Sequence, residues 1–304
     1  MLVFSGKFNL TDRSHFFTHW VKKTAAQIIN LIRSTASFYF FRDYPGATKF
    51  LAILDNLSVS PSEFKFIQNN FRQSSSETAM AAFRHAYLVQ DLHQMGKLIH
   101  EYRNNSNPAL KRVSTIGSIL LNAYHSGSIQ ITPDVDLLWS QMLQTKVWTI
   151  SELKLANILL AIASGQKKPT VILEIMNRIK DNCHRYISET DDPFNLSDIL
   201  ASAYLTVLQI ELNLKAYKIA KSLINSVNTL NEQLLSWSGR ISQQLTIAIW
   251  ELFFGNEKRG QQIMDLLQSL ENLYFPVQDK TLFDIIAHRQ KEAGQYRQQH
   301  HSPR

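Results

Sequence analysis

The stretch Trp148–Leu160, WTISELKLANILL, decides how this chain is read. It opens with an aromatic residue and a cap, then sets Glu152 and Asn157 among apolar residues. Thr149 is placed as an N-cap. Glu152, three residues later, has the spacing of a capping box, in which each side chain takes the other residue's orphan backbone N–H. Trp148 and Glu152 are four apart, which puts them on one face of a helix. The apolar positions that follow predict a helix over 150–164. Asn157 lies between Leu155, Ala156, Ile158 and Leu159, so its amide needs partners inside an apolar setting.

Outward from this stretch the chain repeats one pattern: helix, short break, helix. Runs are expected at 77–90, 91–104, 108–126, 134–145, 150–164, 168–188, 196–212, 214–228, 230–254, 256–274 and 279–298. Breaks fall at Asn104–Pro108, Ser126–Pro133, Gly165–Pro169, Glu189–Pro193, Gly255 and Pro276. Only 10 Gly and 8 Pro in 304 residues argue against a sheet protein with many turns. Two helices every 35 to 40 residues or so is the spacing of an α-solenoid. The expected class is therefore all-α: a small N-terminal helical domain followed by a tetratricopeptide-like repeat. The usual tetratricopeptide Trp, Gly and Pro positions are missing, and an irregular all-α bundle is the other reading.

The first domain is expected over 1–73, with the repeat domain over 74–304 and the polar run Ser74–Ser76 between them. Within the head, ATKFLAILDNL (47–57) reads as a helix, and Ser60-Pro61 starts another that runs to Gln73. Residues 1–50 carry seven Lys/Arg and two acidic residues, so most of the net charge of +7 sits there. A basic head on a nearly neutral body suits contact with a polyanion such as nucleic acid, and a solvated basic face is the plainer alternative.

Other chemistry is sparse. A Gly-rich phosphate loop, an HExxH pair and a nucleophile elbow are all missing, so the sequence points away from an enzyme. Asp191-Asp192-Pro193 reads as a helix stop. His85, His93 and His100 straddle a predicted break, and no metal or cofactor is expected from them. No apolar run is long enough to span a bilayer. The single Cys183, a small residue on a helix, and the lack of a secretory signal predict a reducing cytoplasm. Trp237 and Trp250 are expected as core aromatics.

Two stretches carry a resemblance. VWTISELKLANIL (147–159) resembles the Trp-Thr-x-x-Glu-Leu-x-Leu-x-Asn pattern of the Rgg/GadR/MutR family of peptide-responsive transcriptional regulators. ATKFLAILDNLSVSPSEFKFIQNNF (47–71) resembles the end of that family's DNA-binding domain and its linker helix, and FFGNEKRGQQIMDLLQSLE (253–271) has its late glycine spacing. The resemblance implies a helix-turn-helix head, a superhelix of helix pairs, a homodimer, promoter DNA as one partner and a short signalling peptide on the concave face as the other. In the head, Lys22, Lys23, Arg33 and Arg42 are expected to make non-specific phosphate contacts with DNA, and Ser37 can be laid on the family's Ser-x-Phe step. The head departs from the family pattern, because STASFYFFRDYPGATKF (34–50) lacks the Glu-x-Gly step and offers four consecutive aromatics where a recognition helix needs polar side chains. Either that helix is re-registered or the head is a degenerate remnant. On the repeat domain, Arg84, Tyr87, Asn122, Asn157 and Asn213 are the peptide-lining candidates, with Tyr124 and Tyr204 beside them. Asn157 has two uses open to it: an interhelical hydrogen bond, or pairing of its amide with the backbone of an extended peptide.

Overall fold

The computed structural model describes residues 47–126, 132–165, 169–275 and 279–300, and all regular structure among them is helical. The chain divides into two compact units, 1–77 and 78–304.

In the first unit, α1 (Ala47–Asn56) and α2 (Pro61–Gln68) are joined by a tight turn. Ser58 adopts a left-handed conformation (φ 53°), which lets Val59 N–H reach Leu54 O at 2.9 Å and closes α1. Ser60 caps α2, its hydroxyl accepting from Glu63 N–H at 3.0 Å, and Pro61 takes the first turn. The helix expected to reach Gln73 stops at Gln68, because Asn70 and Phe71 both turn left-handed. Phe50 and Phe64 meet edge to face, with ring centroids 5.3 Å apart.

The second unit is built from all but the first three residues of α3 (Ser75–Leu88), and from α4 (Leu92–Arg103), α5 (Pro108–Ser126), α6 (Pro133–Gln144), α7 (Ile150–Leu153), α8 (Ala156–Gly165), α9 (Pro169–Cys183), α10 (Leu196–Asn213), α11 (Tyr217–Asn228), α12 (Trp237–Phe254), α13 (Glu257–Asn272) and α14 (Lys280–His300). Helices α5, α8, α10, α12 and α14 touch in succession and form one layer. Helix α9 packs between α8 and α10, α11 between α10 and α12, and α13 against α12 and α14. This is the alternating inner and outer layering of a helical-pair solenoid. One core runs from Ile116 through Leu159, Ile172, Val207 and Ile249 to Ile286, while a smaller cluster around Phe83, Met95 and Val113 holds the first helices. Gly260 marks the close approach of α13 to α12: a Cβ there would lie 2.8 Å from Ala248 O.

Several expected boundaries move. The run 150–164 is two helices: Leu155 N–H bonds Glu152 O at 2.9 Å, a tight three-residue step, and Ile158 and Leu159 then restart the helix on Leu155 O. Trp148 precedes the cap Thr149, so it does not share a helix face with Glu152. The run 230–254 begins at Trp237, because Asp198 binds both the backbone N–H and the hydroxyl of Ser236 and fixes it as the N-cap. The run 168–188 ends at Cys183.

Candidate functional site

The WTISELKLANILL stretch divides into a structural and a site-forming part. Thr149 and Glu152 form the capping box: Thr149 N–H donates to Glu152 Oε2 at 2.7 Å, and Glu152 N–H to Thr149 Oγ1 at 3.4 Å. Trp148 is fully buried. Its indole donates to Met142 O at 3.0 Å, its backbone N–H donates to Asn182 Oδ1 at 2.9 Å, and the Arg178 guanidinium lies over its ring at 4.9 Å. These residues lock α6, α7 and α9 together.

Asn157, in the first turn of α8, faces α10. Its Nδ2 donates to Ser202 Oγ at 2.7 Å, and Thr206 Oγ1 approaches its Oδ1 at 3.4 Å. Ser202 and Thr206 begin a polar stripe on α10 that continues with Gln209 and Asn213. The spacing of four, three and four keeps all of them on one face of an otherwise apolar helix. At the far end of the stripe, Arg289 of α14 donates from Nη2 to Asn213 Oδ1 at 2.7 Å and to Gln209 O at 3.1 Å, and pairs through Nη1 with Glu292. Arg289 is buried, and desolvation pulls its pKa down against the opposing pull of Glu292. The arrangement sets hydroxyl and amide groups in a row on one face of α10, with the buried Arg289 guanidinium committed at its far end; hydroxyls and amides are groups able to pair with the backbone of an extended chain.

Two of the five expected peptide-lining residues, Asn157 and Asn213, thus lie on or against this stripe. Arg84 is exposed on α3, Tyr87 is half-buried against the smaller cluster, and Asn122 is half-buried on α5. Tyr204 is buried in the core, and burial pushes its phenol up. Tyr124 lies outside the described side chains. Ser202, Thr206, Gln209 and Arg289 are additions to the sequence reading. The 4-3-4 spacing on α10 is the signal that finds the first three, whereas Arg289 sits in a helix so polar that nothing marks it. The head residues Lys22, Lys23, Arg33, Ser37 and Arg42 lie outside the described residues.

A cavity of about 380 Å³ lies away from the stripe, at the N-terminal end of α12, lined by Trp237, Arg240, Ile241, Gln244, Leu267 and Leu270 among others. Trp237, expected in the core, is 59% exposed, because as the first residue of α12 it stands at the rim of this cavity. Trp250 is half-buried, and its indole donates to Lys221 O at 2.8 Å. Cys183 is buried, its thiol pushed up to about 12 by burial and secondarily by Asp192, which keeps it protonated and unreactive. Among the described residues no group of three His, Cys, Asp or Glu is placed to hold a metal ion, and no helix is long and apolar enough to cross a membrane.

The chain is similar in structure to the SHP pheromone receptor Rgg2 of Streptococcus dysgalactiae, with a TM-score of 0.57 over 84% of this chain and 88% of that one, at 14% sequence identity. The fold is Rgg-like. No protein-family model matches the sequence, and no curated protein matches it. The all-helical class expected from the sequence holds among the described residues, in a fold similar to that of this neighbour.

Proposed function

We propose that the chain is a peptide-responsive transcriptional regulator, in which a short apolar peptide lies along the inner layer of the repeat domain and alters how a basic N-terminal head engages promoter DNA. The observation that carries this reading is the polar stripe of Ser202, Thr206, Gln209 and Asn213 along α10, met by Asn157 from α8, in an Rgg-like fold. Hydroxyl and amide side chains in such a row can pair with the backbone groups of an extended peptide. Lys22, Lys23, Arg33 and Arg42 supply phosphate contacts, and Ser37 falls on the Ser-x-Phe step of the pattern that the head resembles. A homodimer presents two such heads to two half-sites.

The second reading is a peptide- or protein-binding repeat protein without specific DNA binding. The aromatic run Phe38–Phe41 favours it, since a helix reading base edges needs polar side chains. Fluorescence anisotropy on the gene's own upstream DNA separates the two. The regulator reading expects submicromolar binding that weakens steeply as salt rises, through counterion release. Binding no tighter than to unrelated DNA at every salt concentration would leave the second reading standing.

A further inference from the structure

The cavity at the start of α12 shares no residue with the polar stripe, and its lining sorts by depth. Gln243 and Leu267 are buried at its floor, and Ile241, Gln244 and Leu270 are half-buried on its sides. Trp237, Arg240 and Glu232 stand exposed at its rim. Trp237, Ile241 and Gln244 are four and three apart, so they follow one face of α12. Leu267 and Leu270 of α13 supply an apolar wall. A concave space of about 380 Å³ with apolar walls and a few convergent polar groups has the form of a small-molecule site, at the small end of the range.

Its polar groups have capacity to spare. Gln243 is 2% exposed; its Nε2 donates to Val227 O at 3.3 Å, while its Oε1 accepts no hydrogen bond among the described residues. A buried amide carbonyl in that position calls for a donor. The Arg240 guanidinium donates from Nη2 to Glu232 O at 3.2 Å and pairs with no carboxylate among the described residues. Its planar fork of donors suits a carboxylate. Trp237 leaves most of a large apolar side chain in water, which the body of an apolar ligand would cover. One cation, Arg240, and one anion, Glu232, line the space. A net anion would be opposed by Glu232 and a net cation by Arg240, whereas a zwitterion meets both.

We propose that this cavity binds a free apolar α-amino acid. Its carboxylate pairs with Arg240. Its ammonium donates to Gln243 Oε1 and is balanced by Glu232. Its side chain packs between Trp237 and the Leu267–Leu270 wall. The site stands whether or not the stripe holds a peptide.

The test is isothermal titration calorimetry on the full chain with L-leucine, L-phenylalanine and two analogues: 3-phenylpropionate, which lacks the ammonium, and phenethylamine, which lacks the carboxylate. Both amino acids should bind saturably. Each analogue should bind roughly ten- to hundredfold more weakly than L-phenylalanine, the worth of one charged hydrogen bond. Arg240 and Trp237 are exposed, so Arg240→Gln and Trp237→Ala leave the core intact. Arg240→Gln should weaken L-phenylalanine by a similar factor and leave phenethylamine unchanged. Trp237→Ala should weaken both amino acids, and Asn157→Ala should bind them as wild type does. Absence of saturable binding by either amino acid at millimolar concentration would overturn the site. Binding of 3-phenylpropionate as tight as that of L-phenylalanine would overturn the zwitterion. Affinity lost in Asn157→Ala but kept in Arg240→Gln would overturn the cavity as the place of binding.

Discussion

Asn157 is engaged at both ends of its amide, by Ser202 and by Thr206, so under the proposed function an arriving peptide would have to exchange with bonds already made. The interhelical bond and the peptide contact, two uses open from sequence, are thus successive uses of one amide in this account. In a double-mutant cycle, Asn157→Ala and Ser202→Ala should show a coupling of about 0.5–1.5 kcal/mol in urea unfolding, the worth of one partly buried hydrogen bond. Strictly additive effects would show that the bond contributes nothing to folding. Glu211 is the opposite case, being fully buried with neither carboxylate oxygen partnered. Burial alone raises its pKa from 4.5 to about 6. Because the folded value lies above the ordinary one, the protonated side chain is compatible with the fold below 4.5, and stability is lost as pH rises through 6. Glu211→Gln should therefore be more stable than wild type by about 2 kcal/mol at pH 7.5, with the gap shrinking toward zero by pH 4.5. An equal difference at both pH values would contradict this. The interhelical use of Asn157 was one the sequence left open, whereas Glu211 is there only one more polar letter near a helix end.

At the scale of elements, caps are the most legible features. Ser60 on α2 and Thr149 with Glu152 on α7 stand where side-chain chemistry placed them, because capping depends on residues within one turn. The break at Lys154–Leu155 and the late start of α12 at Trp237 were hidden for the converse reason. One rests on a backbone step that carries no marker residue, the other on Asp198, which lies 38 residues from the Ser236 it fixes. The scarcity of glycine has a structural counterpart. Helix α10 ends with Lys215 in the left-handed region (φ 56°), where Ala216 N–H closes onto Glu211 O at 2.8 Å. A Cβ there is strained, so Lys215→Gly should raise the unfolding free energy by about 0.5–1 kcal/mol, read from the urea midpoint at unchanged slope. A loss of stability would mean that the lysine side chain supplies a contact worth more than the strain.

For the molecule as a whole, the period of apolar residues was enough to give an all-helical repeat, because each helix pair buries its face against the next pair and little else decides the architecture. The candidate site was legible only in part. Asn157 and Asn213 stood out as polar residues in apolar runs, whereas Arg289 reaches the stripe from α14, a placement that only the folded chain creates. The charge that first suggested DNA lies in residues 1–50, and the stripe that suggests a peptide lies in the repeat domain. The regulator reading needs both, and the inner face is the part it cannot do without. Photocrosslinking a pool of short apolar peptides to the full chain, followed by mapping of the modified residues, tests that face most directly. The account predicts attachment on α8 and α10 around Asn157, Ser202, Thr206 and Asn213, reduced in Asn157→Ala. Attachment confined to the outer helices α9, α11 and α13 would contradict it.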